Sequence, residues 1–411
     1  AEELRGQLTQ LQNRLNELQS RLAETQQAGK QIEELRGQLA QLQNKLAEAQ
    51  KTIEALRSAS YLYALVADTV GGSDELFIYV IDPRTNDVVG KIPLRDRLPA
   101  DVYTRMRNAT LRLVSPSIME NKAPRYYTHP GQYLYVLYGG PWGTYVAALD
   151  PKDFSLVKEV KTHDKFTRQH SGISPDGKLL VIALRQAQRL LYLDAKTLEV
   201  IRVVELDANP CDAAPSPDGK YFAVPMRADG DPNKPEYVLI IDREGREVAR
   251  VYFKRPGEAG GAPTEPTATW WTLDGKYVLA QGEGRPYEAV IEVDVTAKSA
   301  RIIKEVSYPS GTVASMAVEH PMVKGEVWVV VRGGGGVFVR SPPPEYREIA
   351  RIPLTVDTRG TGYGPFSPDG RYFYVVGYGG IDIIDVSAKS LVKTIKAKVA
   401  VWVIAIPSGE W

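Results

Sequence analysis

The chain has 411 residues, with 51 Lys+Arg against 50 Asp+Glu and a formal net charge of +1, a balance that gives no bulk attraction for nucleic acid. Its one Cys excludes an intrachain disulfide framework and a Cys-only metal site. The longest wholly apolar run, Val399–Ile406, is eight residues, far short of the ~20 that span a bilayer. All 36 aromatic residues and all 28 prolines follow residue 60, whereas 11 of 16 glutamines precede it. Two architectures are joined end to end.

The first is helical. Leu4, Leu8, Leu11, Leu15, Leu18 and Leu22 alternate steps of four and three, and Ile32, Leu35, Leu39, Leu42, Leu46, Ala49, Ile53 and Leu56 resume the pattern. A 3.5-residue apolar period predicts a coiled coil. Glu2–Gln19 matches Glu33–Gln50 at 14 of 18 positions with an offset of 31, so the seam slips by three residues near Gly29, a stammer. With eight basic and eight acidic residues, residues 1–58 neither repel one another nor seek a polyanion. An exposed leucine seam predicts self-association through residues 1–58, as a stalk of unspecified strand number.

From residue 59 to 411 the pattern is all-β: short Val/Ile/Tyr-rich runs between turns. One turn recurs as HPGQYLYVL at His129, SPDGKLLVI at Ser174, SPDGKYFAV at Ser216, TLDGKYVLA at Thr272 and SPDGRYFYV at Ser367, with a degenerate copy at His320. Its glycines, Gly131, Gly177, Gly219, Gly275, Gly325 and Gly370, lie 42 to 56 residues apart. Pro-Asp-Gly closes a tight turn because Gly takes positive φ freely. In most repeats a second turn follows, as in LDAKTLE at Leu193 and IDVSAKS at Ile384. Four strands per unit of 40–50 residues make a propeller blade. Tyr61–Leu94 lacks a first strand, and Val399–Gly409 supplies one. The expectation is a seven-bladed β-propeller whose C-terminal strand closes the N-terminal blade, which removes free sheet edges. The stretch 95–128 reads as a short helix plus a first strand.

These SPDG(K/R) and (I/L)D-x-x-(T/S) turns over residues 61–411 resemble the YVTN β-propeller repeat family. That resemblance implies a surface-layer or extracellular protein of bacteria or archaea. The wider grouping includes lactonases and the haem-d propeller of nitrite reductases, so the fold leaves function open.

Propeller ligands sit on the axial loops, here within 161–172, 206–215, 254–270 and 355–364. Arg185, Arg227 and Arg332 each end a second strand, seven or eight residues past a motif glycine. With Arg168 and Arg359 they can offer guanidinium forks to an anion; the competing reading pairs each with a loop carboxylate such as Asp212 or Asp229. RQHSGISPDGKLLVI resembles the iron-binding segment of nitrite-reductase propellers, which implies a ligand role for His170. The His-rich segment expected before GEVWVVV is replaced by SYPSGTVASMAVEHP, and no Cys-x-x-Cys-His motif is present, so no haem, metal or other cofactor is expected. His129 and His320 hold the Ser position of the turn and read as structural. Cys211 reads as a buried inert thiol, although His170 lies on a neighbouring loop, and GGGG at 333–336 as a strand link. No catalytic residue is assigned.

Asn108-Ala109-Thr110 is a glycosylation sequon on an exposed insert, and the chain begins at Ala1 without an apolar leader, as a processed secreted protein would. Sparse Asn and Gln outside the first sixty residues lean toward a thermophile, and archaeal cell-surface proteins fit the resemblance. The expectation is a non-enzymatic secreted or cell-surface protein whose stalk displays propellers for binding other surface or envelope proteins or for extracellular assembly, with no nucleic-acid partner and no transmembrane segment. The competing expectation is a periplasmic or extracellular enzyme, haem-d-like or lactonase-like, with its site on the axial loops.

Overall fold

A computed structural model describes residues 2–24, 35–45, 61–113, 133–255, 264–284, 286–320, 325–359, 363–367 and 369–406. The chain divides after Tyr61 into a helical unit and a β unit, Leu62–Ile406.

In the helical unit, Glu2–Glu24 is one α-helix and residues 35–45 are helical. No Pro interrupts them, and Leu, Gln, Glu, Arg and Ala are strong helix formers. Leu15 and Leu18 are buried, while Leu8, Leu11 and Leu22 are half-buried, so the leucine seam is the least exposed face. The expected coiled coil is not evident: the described residues give single helical segments, and burial of the seam arises within one chain. Local periodicity determines which face is apolar but not what covers it.

The β unit is a propeller of six antiparallel sheets. The sheet Thr110–Leu113, Leu134–Gly140, Gly143–Leu149, Leu156–His163 is followed by Gln169–Ile173, Leu179–Leu184, Arg189–Asp194, Val200–Glu205. The third comprises Asn209–Pro210 and Ala214–Pro215, Tyr221–Arg227, Glu236–Asp242 and Glu247–Lys254. Pro266–Trp271, Tyr277–Gly282, Tyr287–Asp294 and Ser299–Ser307 make the fourth; Val313–Glu319, Val327–Arg332, Gly336–Arg340 and Glu348–Ile352 the fifth. The sixth runs Tyr372–Asp385, Ser390–Ile406, Tyr61–Val70, Ser73–Asp82, Asp87–Pro93.

The expected seven blades are thus six sheets. The reason is hydrogen-bond continuity: Tyr372–Asp385 and Ser390–Ile406 run unbroken, so the last repeat and the N-terminal strands share one sheet. The C-terminal strand does lie beside Tyr61–Val70. The stretch after Pro93 forms the helix Ala100–Arg107 and the strand Thr110–Leu113. Asn108 is exposed at that helix's C-cap.

The turn motif works as its residues dictate. Gly177, Gly219, Gly275 and Gly370 have φ of 68°, 68°, 70° and 69°, where a Cβ would be strained. Ser174 Oγ donates to Asp176 and accepts from Leu179 N at 3.0 Å; Ser216, Thr272 and Ser367 repeat the pattern. Sheets are pinned to their neighbours in sequence. Gln169 Nε2 donates to Tyr138 O at 3.1 Å, Tyr192 OH to Asp242 O at 3.2 Å, and Trp271 Nε1 to Ala214 O at 3.1 Å. Leu273 N donates to Glu319 at 2.7 Å, and His320 Nε2 lies 3.0 Å from Gly370 O. Tyr63 packs on Phe154 with ring centres 5.5 Å apart, which joins the last sheet to the first. Buried His320 is structural, as expected; His129 lies outside the described residues.

Candidate functional site

Second strands of successive repeats end at one height, and their terminal residues meet. Arg185 directly follows Leu179–Leu184, and Arg227 and Arg332 close their strands. Glu283, eight residues past Gly275, holds the position that Arg185 and Arg227 hold after their own glycines. A count of cations from the turn glycines does not find it, because here the repeat carries a carboxylate. Repeat equivalence alone would have found it.

These side chains form an alternating chain of charge. Arg185 Nε donates to Asp229 Oδ2 at 2.8 Å, and its Nη2 meets Asp229 Oδ1. Arg227 Nε donates to Asp229 Oδ1 at 3.0 Å and lies 3.1 Å from Glu265 Oε2. Its Nη1 reaches Glu283 Oε2 at 2.7 Å and Thr267 Oγ1 at 2.8 Å. Arg332 Nη2 donates to Glu283 Oε1 at 2.8 Å. Burial works against every charge here, but the cations prevail: Arg185 and Arg227 hold Asp229 at about 2, and Arg227 and Arg332 hold Glu283 at about 2. Both carboxylates are therefore ionised at neutral pH, and Arg227 is held more firmly charged than usual. The expected pairing with Asp229 is realised for Arg185 and Arg227. Asp212 takes no part in it.

Arg185, Thr267, Glu283 and Arg332 of this network line a cavity of about 400 Å³ together with Arg168, His170 and Cys211; Arg227, Asp229 and Asp212 are not among its lining residues. Thr167 Oγ1 and Arg168 N donate to Gln186 Oε1 at 3.0 and 2.7 Å, which fixes the loop leading into Gln169–Ile173. Phe166 and Tyr363 supply apolar wall; Tyr363 stacks on Trp402 with centroids 4.4 Å apart. Residues of several blades converge on this space, as expected of an axial pocket. Arg359 is not among its lining residues: its exposed guanidinium pairs with Asp357 of its own turn at 2.6 Å. That correction has a local cause, since Asp357 Oδ1 also accepts from Arg359 N at 3.0 Å and folds the pair together.

Asp212 follows Cys211 and is 6% exposed. Its Oδ1 accepts from Ala213 N at 2.8 Å. Burial pushes its carboxyl up to about 7, and the one backbone hydrogen bond offsets little of that. Burial likewise pushes the Cys211 thiol up to about 11, against the pull of Arg227 and Arg185, so the thiol is protonated and a poor nucleophile at neutral pH. No group of three or more His, Cys, Asp or Glu is placed to hold a metal ion among the described residues. No helix among them is long and apolar enough to cross a membrane.

No family profile and no curated protein sequence matches the chain. Solved structures do match in fold. A protein from Lactobacillus plantarum aligns with 13% identity and a TM-score of 0.60, over 84% of this chain and 99% of its own. A putative 6-phosphogluconolactonase from Bacteroides fragilis aligns at 16% identity and a TM-score of 0.59, over 85% and 98%. A periplasmic gluconolactonase from Pseudomonas aeruginosa aligns at 18% identity and a TM-score of 0.58, over 84% and 99%. The expectation of a non-enzymatic display protein is corrected: the structures that match in fold include a putative 6-phosphogluconolactonase and a periplasmic gluconolactonase. Composition and repeats identify a ring but are silent on what its axial loops enclose, and here they enclose a walled, charged cavity.

Proposed function

We propose that the propeller is a hydrolase that opens the ring of a sugar-acid lactone in the axial cavity. The observation that carries this reading is the walled axial cavity edged by Arg185 and Arg332; Asp212, next in the chain to the lining residue Cys211, is the buried carboxyl assigned as its base, brought by burial to about 7. A base is most effective when its pKa lies near the working pH. Ionised Asp212 takes a proton from water as the water oxygen attacks the lactone carbonyl carbon. The N–H groups of Arg185 and Arg332 bear the charge that develops on the carbonyl oxygen. The acyl C–O bond then breaks, and Asp212 returns its proton to the departing ring oxygen. Salt-bridged carboxylates keep the guanidinium groups fixed, so little reorganisation accompanies the charge. Similarity of fold to a putative 6-phosphogluconolactonase and a periplasmic gluconolactonase supports the same chemistry.

The test is acid release from glucono-δ-lactone by pH-stat, above the uncatalysed rate. Asp212→Asn should lower kcat at least 100-fold, and kcat/KM of the unsubstituted protein should rise with pH through about 7, since the base acts when deprotonated. A fully active Asp212→Asn protein overturns the assignment of Asp212, and absence of any acceleration overturns the reading.

The same proposal places the protein outside the cytoplasm, in keeping with the periplasmic neighbour and the sequon, and gives residues 1–58 a self-associating role through their leucine seam. It also treats the sixth sheet as two fused blades, seven in all.

A further inference from the structure

Charge in the cavity is largely committed. Arg185 is held by Asp229 through two contacts, Arg332 by Glu283, and Arg227 behind them by Asp229, Glu265 and Glu283. Each can still aim an N–H donor at a carbonyl oxygen, but a guanidinium paired with an ionised carboxylate adds little net charge to match a full anion. Arg168 differs. It lines the same cavity and is exposed, and its guanidinium makes no ion pair among the described residues. Its backbone is fixed all the same, because Arg168 N donates to Gln186 Oε1 at 2.7 Å. Phe166, 42% exposed, and Tyr363, stacked on Trp402, line the same cavity, and their rings suit the C–H face of a hydroxylated ring.

We infer, building on the lactone reading above, that the cavity selects a sugar ring bearing no phosphate, and that Arg168 is the specificity-determining cation that meets the single carboxylate formed on ring opening. Hydrolysis breaks the acyl C–O bond, places the water hydroxyl on the acyl carbon and a hydrogen on the ring oxygen, and the resulting acid releases one proton to solvent. The product carries one negative charge, which one uncommitted guanidinium matches. A phosphomonoester adds about −1.5 to −2 at neutral pH and would require further free cations beyond Arg168.

The experiment uses the full-length protein and calorimetric titration at pH 7.5 with two probes, D-gluconate and 6-phosphogluconate. Gluconate should bind at least tenfold more tightly. Arg168→Gln should weaken gluconate about tenfold and flatten the salt dependence of its Kd, and Arg168→Lys, which keeps the charge, should recover most of the loss. Equal or tighter binding of 6-phosphogluconate, an unaffected Arg168→Gln protein, or binding of neither probe overturns the inference. Hydrolysis of glucono-δ-lactone and of its 6-phosphate, measured on the same preparation, separates the two readings. Selective gluconate binding without hydrolysis removes the enzyme and leaves the charge selection. Hydrolysis that favours the phosphorylated lactone removes the charge selection and leaves the enzyme.

Discussion

Replacing Asp212 by Asn should abolish catalysis and stabilise the protein at alkaline pH. In the folded state the carboxyl is raised by burial from 3.8 to about 7. Below 3.8 both states are protonated and the group contributes nothing to pH dependence. Above 3.8 the unfolded chain releases its proton while the folded state keeps it, so stability falls as pH rises and levels off only above about 7. Between pH 5 and pH 7 this amounts to two pH units at about 1.4 kcal/mol each, roughly 3 kcal/mol in all. Asn cannot ionise, and every other titrating group is common to both proteins. The stability difference between Asp212→Asn and the unsubstituted protein should therefore be about 3 kcal/mol more favourable to the variant at pH 8 than at pH 5. Urea unfolding followed by tryptophan fluorescence at the two pH values measures it. A difference that does not change with pH would mean that Asp212 is solvated, and would remove both the buried acid and the base that depends on it.

Asp229→Ala should cost about 3–5 kcal/mol in the same unfolding assay, because it leaves Arg185 and Arg227 without the carboxylate they share. Acid should weaken the ring through the same groups: Asp229 and Glu283, lowered to about 2, give stability that is present above about 4.5 and is lost as pH falls toward 2, which a circular-dichroism acid titration reads. Gly172→Ala should destabilise by about 1–3 kcal/mol and lower lactone turnover, since a Cβ there would sit 2.1 Å from Ala213 O, next to Asp212; unchanged turnover would count against coupling between these inner strands. For the helical unit, Leu11→Glu together with Leu22→Glu in the full-length protein should lower the mass measured by light scattering to that of one chain.

What the sequence disclosed and what it withheld follow one division. Turn chemistry is local: Ser174, Asp176 and Gly177 close their hairpin using atoms within five residues, so the motif could be read without a structure. Arg185, Arg227 and Arg332 were legible for the same reason, since each is counted from a turn glycine. Sheet count is not local. Whether Ser390–Ile406 runs unbroken between two sheets depends on which edges meet, and period and propensity carry no information about that. Likewise the leucine repeat specifies an apolar face and leaves its occupant open.

The site shows where the division becomes chemical. Asp229 and Asp212 are both loop aspartates, and nothing in their sequence neighbourhoods ranks one above the other. Asp229 lies within reach of Arg185, Arg227 and Asn209 and is held at about 2. Asp212 is buried with one backbone N–H for company and stands at about 7. The contrast of roughly five units between them is produced by three-dimensional placement alone, and two like groups driven so far apart can divide the roles of structural anion and proton acceptor. The cations that neutralise Asp229 and Glu283 are thereby also kept from Asp212. Were Asp212 paired as the others are, it would be ionised at every working pH and too weak a base to take a proton from water.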